Sequence, residues 1–105
     1  MNEMAGRHLV LVGLMGVGKT TVGEVVARRL GRELVDSDLR IEALTGRTVK
    51  QILDADGVGE MRRFEAAALF DALRDEQPRV IAAAAGVVLD RDNRDRLNAA
   101  DADVV

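Results

Sequence analysis

The apolar residues of this chain form short continuous runs that alternate with segments of helical spacing. Residues 8–12 are one such run, bounded by Gly13, and a run of this kind is typical of a strand buried on both faces of a parallel sheet. Residues 34–35 and 79–83 predict two more strands, and residues 102–105 predict the first part of a fourth. Because these strands alternate with helices, they predict a parallel sheet covered on both faces, and the fold class is α/β.

The segments between the strands have the spacing of amphipathic helices. The first helix begins near Thr20 and ends at a capping Gly31. Its apolar face consists of Val22, Val25, Val26 and Leu30. A short helix around residues 39–44 stops at Gly46, and Thr48 with Gln51 predicts the capping box of another, which runs to residue 57. A longer helix covers about residues 59–74, and a short one covers residues 93–98. The buried stripe of the longer helix consists of Met61, Phe64, Ala68, Leu69, Ala72 and Leu73.

The composition excludes several classes of protein. The 105 residues predict one domain over residues 1–105, and the 48% of apolar and 31% of charged residues are typical of a soluble globular protein. No stretch approaches the roughly 20 apolar residues of a membrane span, and the N-terminus lacks a signal-peptide pattern, so we expect a cytoplasmic protein with no membrane partner. The net charge of −3 and the two aromatic residues argue against a nucleic-acid partner. With no cysteine, disulfides and thiolate metal sites are excluded.

A glycine-rich loop lies between the first strand and the first helix. It matches the phosphate-loop pattern G-x-x-x-x-G-K-[ST] with Gly13, Leu14, Met15, Gly16, Val17, Gly18, Lys19 and Thr20. Small residues let backbone N–H groups turn towards phosphates, and the N-terminus of the following helix adds positive potential. Lys19 would contact the β- and γ-phosphates, the Thr20 hydroxyl would bind Mg²⁺, and Thr21 follows in the same site. The alternative is a glycine-rich turn with an exposed lysine.

A pair of acidic residues follows the second strand. Asp36 and Asp38 are separated by Ser37, and ligands of open α/β sheets lie beyond the carboxyl ends of the strands. Two carboxylates one residue apart point in different directions, so one can face a metal ion and the other an incoming hydroxyl. The alternative is that one of them caps the helix that starts near Leu39.

Two adjacent arginines, Arg62 and Arg63, lie near the start of the longer helix, where the helix dipole disfavours cations. A carboxylate ligand or an ion pair with Glu65 could offset this cost, because a guanidinium can hold a carboxylate through two parallel hydrogen bonds. The alternative is a pair of solvated surface arginines.

Together these motifs resemble the shikimate kinase family, and the resemblance covers the chain from His8 to Val105. The family pattern of the loop continues through Thr21, Val22 and Gly23, and its D-[ST]-D pattern falls on residues 36–38. Its I-E-x-x-x-G-x-[ST] pattern falls on Ile41, Glu42, Gly46 and Thr48. Its F-R-R-x-E pattern falls on residues 61–65, with Met61 in place of the aromatic residue.

The resemblance implies a P-loop NTPase-type parallel sheet and an ATP-dependent enzyme that phosphorylates the 3-hydroxyl of shikimate, a monomer when complete. In this family Arg62 would bind the shikimate carboxylate, and Asp38 would hold and deprotonate the acceptor hydroxyl. Asp36 would support Mg²⁺ beside Thr20, and Lys19 would act on the transferred phosphoryl group. Other readings of the motifs are a related small-metabolite kinase, such as gluconate kinase, and a noncatalytic module that binds nucleotide.

The chain departs from the family pattern at the end of the third strand. The family has three glycines there that approach the substrate, whereas this chain has Ala84, Ala85 and Gly86. If either alanine required a positive φ, its strain would cost on the order of 1 kcal/mol, and its methyl group could crowd the substrate.

The family pattern also continues beyond residue 105, with further strands, a lid that carries arginines and a loop that packs on adenine. We therefore expect an incomplete domain, with an exposed apolar edge beside the first strand.

Overall fold

The computed structural model describes residues 7–12, 17–100 and 102–105, with the backbone alone for residues 17–20 and Ala85. Its elements alternate between strands and helices, as the sequence predicts. In chain order they are β1 (His8–Leu11), α1 (Val17–Leu30), β2 (Leu34–Asp36), α2 (Ser37–Thr45), α3 (Val49–Leu73), β3 (Val80–Ala82), a 3₁₀ turn (Ala85–Val88), α4 (Arg91–Ala99) and β4 (Ala102–Val104).

The four strands form one parallel sheet in the order β2-β3-β1-β4. This confirms the α/β class and places β1 in the interior of the sheet. The expected exposed edge beside β1 is wrong, because β4 covers it, with His8 opposite Ala102 and Val10 opposite Val104. The ladder extends past β4, since the Val105 N–H donates to the Val10 carbonyl over 2.8 Å. The edges of the described sheet are therefore β2 and β4.

One face of the sheet carries the larger core, beneath α3 and α4. Strand residues such as Val10 and Ile81 are fully buried there against Leu69 and Phe70 of α3 and Leu97 of α4. Of the stripe predicted for the longer helix, four residues are buried and Phe64 and Leu73 are half-buried, so that prediction is confirmed. Phe70 belongs to the core as well, although the sequence did not single it out.

Helix α1 packs on the opposite face through small residues. A Cβ added at Gly23 would lie 2.9 Å from Leu34 Cδ1, so the helix runs very close to the sheet, and Ala27 is the buried apolar residue of this contact. The predicted apolar face is therefore wrong for most of its members. Three of them are 42–48% exposed, namely Val22, Val25 and Leu30, and only Val26 packs against the core. The face of α1 with the smaller residues therefore packs on the sheet, and the face with the larger apolar residues is exposed.

The predicted helix ends are confirmed by their caps. Gly31 and Gly46 both have positive φ, and the Gly46 N–H donates to the Glu42 carbonyl. Thr48 and Gln51 form the predicted capping box of α3. Gly57, with φ 86° and ψ 175°, breaks α3 into the two helices that the sequence predicted.

The sole histidine lies in β1 and joins the N-terminal edge of the sheet to the loop before β3. His8 Nε2 donates to the Asp75 carbonyl over 3.0 Å and Nδ1 accepts from the Arg79 N–H over 3.0 Å, so the ring is held as its neutral tautomer. The Arg79 guanidinium forms ion pairs with Asp75, at 2.7 Å, and with Glu33. Hydrogen bonds from the Gln77 N–H and from Arg79 hold the pKa of Asp75 below its usual value, and Asp75 raises the pKa of Arg79.

In the described ranges, the helices are too short or too polar for any of them to cross a membrane.

Candidate active site

The candidate residues gather at the edge of the sheet where the parallel strands end. Asp36 ends β2, Ala84 to Gly86 follow β3, and α1 begins six positions after β1 ends. Parallel strands present their carboxyl ends at the same edge, which is where open α/β sheets bind ligands. The fold therefore brings Asp36, residues 84–86 and the start of α1 to a single edge of the sheet.

The phosphate loop lies partly outside the described residues. Gly13, Leu14, Met15 and Gly16 are not described, whereas Val17, Gly18, Lys19 and Thr20 form the first turn of α1. Thr21 follows in the same helix and is exposed. Because α1 has 14 residues and contains no acidic residue in its first turn, its N-terminus directs positive potential at the loop.

Asp36 caps helix α2. Its Oδ1 accepts hydrogen bonds from the backbone N–H groups of Asp38, at 2.9 Å, and Leu39, at 3.3 Å. The capping alternative considered from the sequence is thus confirmed for Asp36. Ser37, between the two acids, is 1% exposed, and its hydroxyl makes no hydrogen bond within the described structure.

Arg62 and Gly86 meet although 24 positions separate them in sequence. A Cβ built on Gly86 would lie 3.9 Å from Arg62 Nε and 3.8 Å from Glu65 Oε1, so both side chains approach this glycine. Arg62 and Gly86 border a cleft of about 390 Å³ whose wall also includes Gly59, Arg63, Ala66, Asp90 and Asn93. Asp38 is not among these wall residues. The cleft therefore unites two of the predicted acceptor positions, Arg62 and Gly86, but does not include Asp38.

The two adjacent arginines differ in their surroundings. The Arg63 side chain is 82% exposed and lies 3.8 Å from the carboxylate of Glu60, one helical turn earlier. Arg62 is exposed as well, as the solvated alternative expects, but it lies beside Gly86, near Glu65 of the same helix. A role of Arg62 in ligand binding stays a prediction.

The alanines that replace family glycines are not strained. Ala84 has φ −63° and ψ 139° and caps the 3₁₀ turn that begins at Ala85. Within the described residues, positive φ occurs only at glycines, so the strain considered from the sequence does not arise. Gly86 itself does not have positive φ either, and a Cβ there would make ordinary van der Waals contacts with Arg62 and Glu65.

The sequence analysis missed two residues of the cleft wall, Asp90 and Asn93. Asp90 Oδ1 accepts from the N–H groups of Asp92 and Asn93, which makes it the N-cap of α4. An acidic residue directly before a helical segment indicates where the helix begins, and this is the signal that could have identified Asp90 as the N-cap of α4.

The site offers few protein ligands for a metal ion. The described part of the chain contains no group of three or more acidic or histidine side chains that could hold one. Mg²⁺ bound to a nucleotide keeps several waters and takes one or two protein ligands besides the phosphates, so a single carboxylate such as that of Asp36 is compatible with this mode of binding.

Comparisons with known proteins agree with this geometry. The family model described as "Shikimate kinase" matches residues 15–105. The chain is 48% identical over 90 residues to a shikimate kinase of Symbiobacterium thermophilum, covering 86% of this chain and 51% of that protein. It is 46% identical over 94 residues to a shikimate kinase of Chromobacterium violaceum, covering 90% of this chain and 50% of that protein.

A solved structure also superposes on this fold. Shikimate kinase from Acinetobacter baumannii, solved in complex with shikimate, matches with a TM-score of 0.83 and 37% identity over 93% of this chain and 54% of that one. The chain thus spans about half the length of the relatives it matches. On this evidence it belongs to the shikimate kinase family.

Proposed function

We propose that this chain carries the nucleotide and acceptor sites of a shikimate kinase, which transfers the γ-phosphoryl group of ATP to the 3-hydroxyl of shikimate on the route to aromatic amino acids. The observation that carries the proposal is the meeting of Arg62 and Gly86 in a cleft at the sheet edge where α1 begins. Two further points support it, namely the family match and the relative whose structure contains shikimate. A cytoplasmic location and a monomeric complete enzyme stay predictions of the sequence.

The nucleotide side of the proposed site is the loop at residues 13–20 with the N-terminus of α1. Backbone N–H groups and the helix dipole hold the phosphates, and Lys19 stabilises the charge that develops on the transferred group. Thr20 and Asp36 would hold Mg²⁺, which, when bound, neutralises charge on the phosphate oxygens.

The acceptor side of the proposed site is the cleft together with Asp38. Arg62 grips the shikimate carboxylate through two parallel hydrogen bonds, which fixes the orientation of the ring. Asp38 accepts the proton of the 3-hydroxyl while the oxygen of that hydroxyl forms a bond to the γ-phosphorus. The bond between that phosphorus and the bridging oxygen of ADP breaks, and ADP leaves with the electron pair.

The test is a coupled assay for ADP release. We would compare the 105-residue chain with a chain extended by the C-terminal half of the Symbiobacterium thermophilum relative. We expect shikimate-dependent turnover from the extended chain and not from the 105-residue chain, because the family's lid arginines and the exclusion of water each raise the rate by orders of magnitude. An extended chain that binds ATP and folds but releases no ADP with shikimate would contradict the kinase and favour a noncatalytic nucleotide-binding module.

Arg62→Lys in the extended chain, with Arg29→Lys as its matched control, tests the acceptor site. An ammonium cannot reproduce the bidentate fork, so we expect Arg62→Lys to raise the KM for shikimate by about tenfold or more. Arg29→Lys should stay within about twofold, because Arg29 is exposed in the last turn of α1 and lies outside the cleft. An unchanged KM in Arg62→Lys would remove Arg62 from the site.

A further inference from the structure

A second concave surface lies on the outer side of α3, away from the candidate active site. It is a groove of about 590 Å³ between α2, α3 and α4, and it shares no residue with the wall of the cleft around Arg62. We define it by Ile41 and Leu44 of α2, Phe64, Phe70 and Arg74 of α3, and Arg96 of α4. Its volume falls in the range of about 300–1,000 Å³ that is usual for small-molecule sites.

One end of the groove is apolar. Ile41, 1% exposed, lies in its floor, and the Phe64 ring and the 70% exposed Leu44 border it. A single exposed leucine is ordinary on a protein surface. Here the exposed leucine adjoins a buried apolar floor, so a ligand covering it would remove continuous apolar surface from water.

The other end of the groove is cationic. The Arg96 guanidinium lies 3.6 Å from the centre of the Phe70 ring, and Arg74 stands at the end of α3. The carboxylate of Asp71, also in the groove, is already paired with Arg40 at 2.7 Å. Throughout the described ranges, neither Arg74 nor Arg96 forms an ion pair with a carboxylate.

The positions of Arg74 and Arg96 have a simpler partial explanation. Both lie near helix C-termini, where the dipole favours cations. The interaction with the helix dipole does not involve the N–H donors of the guanidinium. In Arg96 the Phe70 ring already holds these donors in place. A guanidinium stacked on an aromatic ring is oriented for binding a carboxylate, with little further loss of side-chain freedom.

We propose that this groove binds a small amphiphilic carboxylate, with its head at Arg74 and Arg96 and its apolar chain along Phe64 and Leu44. Along α3, the ten residues from Phe64 to Arg74 rise by about 15 Å, so the apolar and cationic ends are far enough apart for a ligand with a medium-length chain. Charge complementarity selects a carboxylate over a neutral amphiphile. The site is independent of the proposed kinase activity.

The test is a titration of the isotope-labelled 105-residue chain with hexanoate, heptanoate and octanoate, followed by amide chemical shifts. We expect saturable shifts at α2, α3 and α4, and binding that tightens about fourfold with each added methylene. Arg74→Gln and Arg96→Gln should each weaken heptanoate binding by about tenfold. Arg91→Gln, on α4 but outside the groove, should leave heptanoate binding unchanged. The neutral 1-heptanol should bind at least about tenfold more weakly than heptanoate.

Three outcomes would overturn the proposal. One is the absence of saturable shifts in the groove up to about 10 mM heptanoate, because a dissociation constant above that concentration is weaker than that of most specific complexes. Another is equal binding of heptanol and heptanoate, or no effect of Arg74→Gln on heptanoate binding. Among the described residues Arg74 makes no ion pair whose loss could unfold the chain. The third is concentration-dependent dimerisation that Leu44→Lys abolishes and heptanoate does not affect, since the groove would then be an interface between copies.

Discussion

The packing of α1 on the sheet makes a prediction that follows directly from one distance. A Cβ on Gly23 would lie 2.9 Å from Leu34 Cδ1, 3.6 Å from Leu34 Cδ2 and 3.8 Å from Ala82 Cβ. In Gly23→Ala, the far end of the Leu34 side chain can move aside, at a cost of about 0.5–1.5 kcal/mol for a displaced rotamer. Alanine in place of glycine in a helix stabilises by about 1 kcal/mol. The two terms nearly cancel, so we expect a change within about 1 kcal/mol of the wild type.

Gly23→Val should behave differently. Its extra methyl groups would meet Leu34 and also Ala82, which is fully buried in β3 and has no room to shift. Overpacking of this kind costs about 1–3 kcal/mol, and a β-branched residue gains less helix propensity than alanine. We expect a loss of about 2 kcal/mol, or a fall in Tm of about 8–16 °C for a domain of this size.

Urea unfolding followed by circular dichroism measures both variants, with Val25→Ala as the control on the exposed side of α1. Because α1 carries the phosphate loop, Gly23→Val should also weaken ATP binding, and Val25→Ala should not. A Gly23→Val variant as stable as the wild type would show that α1 does not lie close to β2 and β3. A loss above about 2 kcal/mol in Gly23→Ala would show that Leu34 is fixed in place.

Three further predictions concern the reaction, the sheet edge and the departure from the family. Lys19→Ala in the extended chain should abolish ADP release in the coupled assay, because its charge stabilises the transition state, and unchanged turnover would exclude the phosphate-loop role. The Gln77 N–H, and after it Arg79, lowers the pKa of Asp75, so these two interactions contribute stability above the unfolded pKa of about 4, and this stability is lost as pH falls through the lower folded value. Asp75→Asn should flatten this acid dependence in urea unfolding from pH 2 to 5, and an unchanged slope would refute it. Replacing Ala84 and Ala85 with glycine should tighten shikimate binding measured by calorimetry, because the family pattern has glycine at both positions and glycine carries no methyl group to crowd a ligand, and equal or weaker binding would show that the alanines do not hinder it.

Local signals in the sequence predicted most of the elements correctly. Gly31 and Gly46 end their helices, Thr48 and Gln51 form a capping box, and Gly57 separates two helices, because each of these effects depends on residues within one helical turn. Periodicity identified the buried stripe of α3 for the same reason.

Features set by tertiary packing were not predictable in this way. The apolar face of α1 was assigned to its larger residues, but the close approach at Gly23 turns Ala27 towards the sheet and leaves Val22 and Val25 exposed. The hydrogen bonds of His8 connect it with residues about 70 positions away, and nothing near His8 in sequence indicates them. Long-range contacts of this kind have no local pattern.

The candidate site shows the same division. The acids at 36–38 and the arginine at 62 were predictable because they follow strands or match a motif. Their arrangement was not, since Asp36 caps α2, Arg62 faces Gly86, and Asn93 joins the cleft wall only through the position of α4.

The central claim is that Arg62 and Gly86 form the acceptor site of this chain. The most direct test maps the amide chemical shifts of the 105-residue chain during titration with shikimate. Our account predicts saturable shifts centred on Arg62, Gly86 and Asp38, which disappear in Arg62→Ala and persist in Arg29→Ala. Saturable shifts confined to other surfaces, or shifts at the cleft that persist in Arg62→Ala, would contradict it.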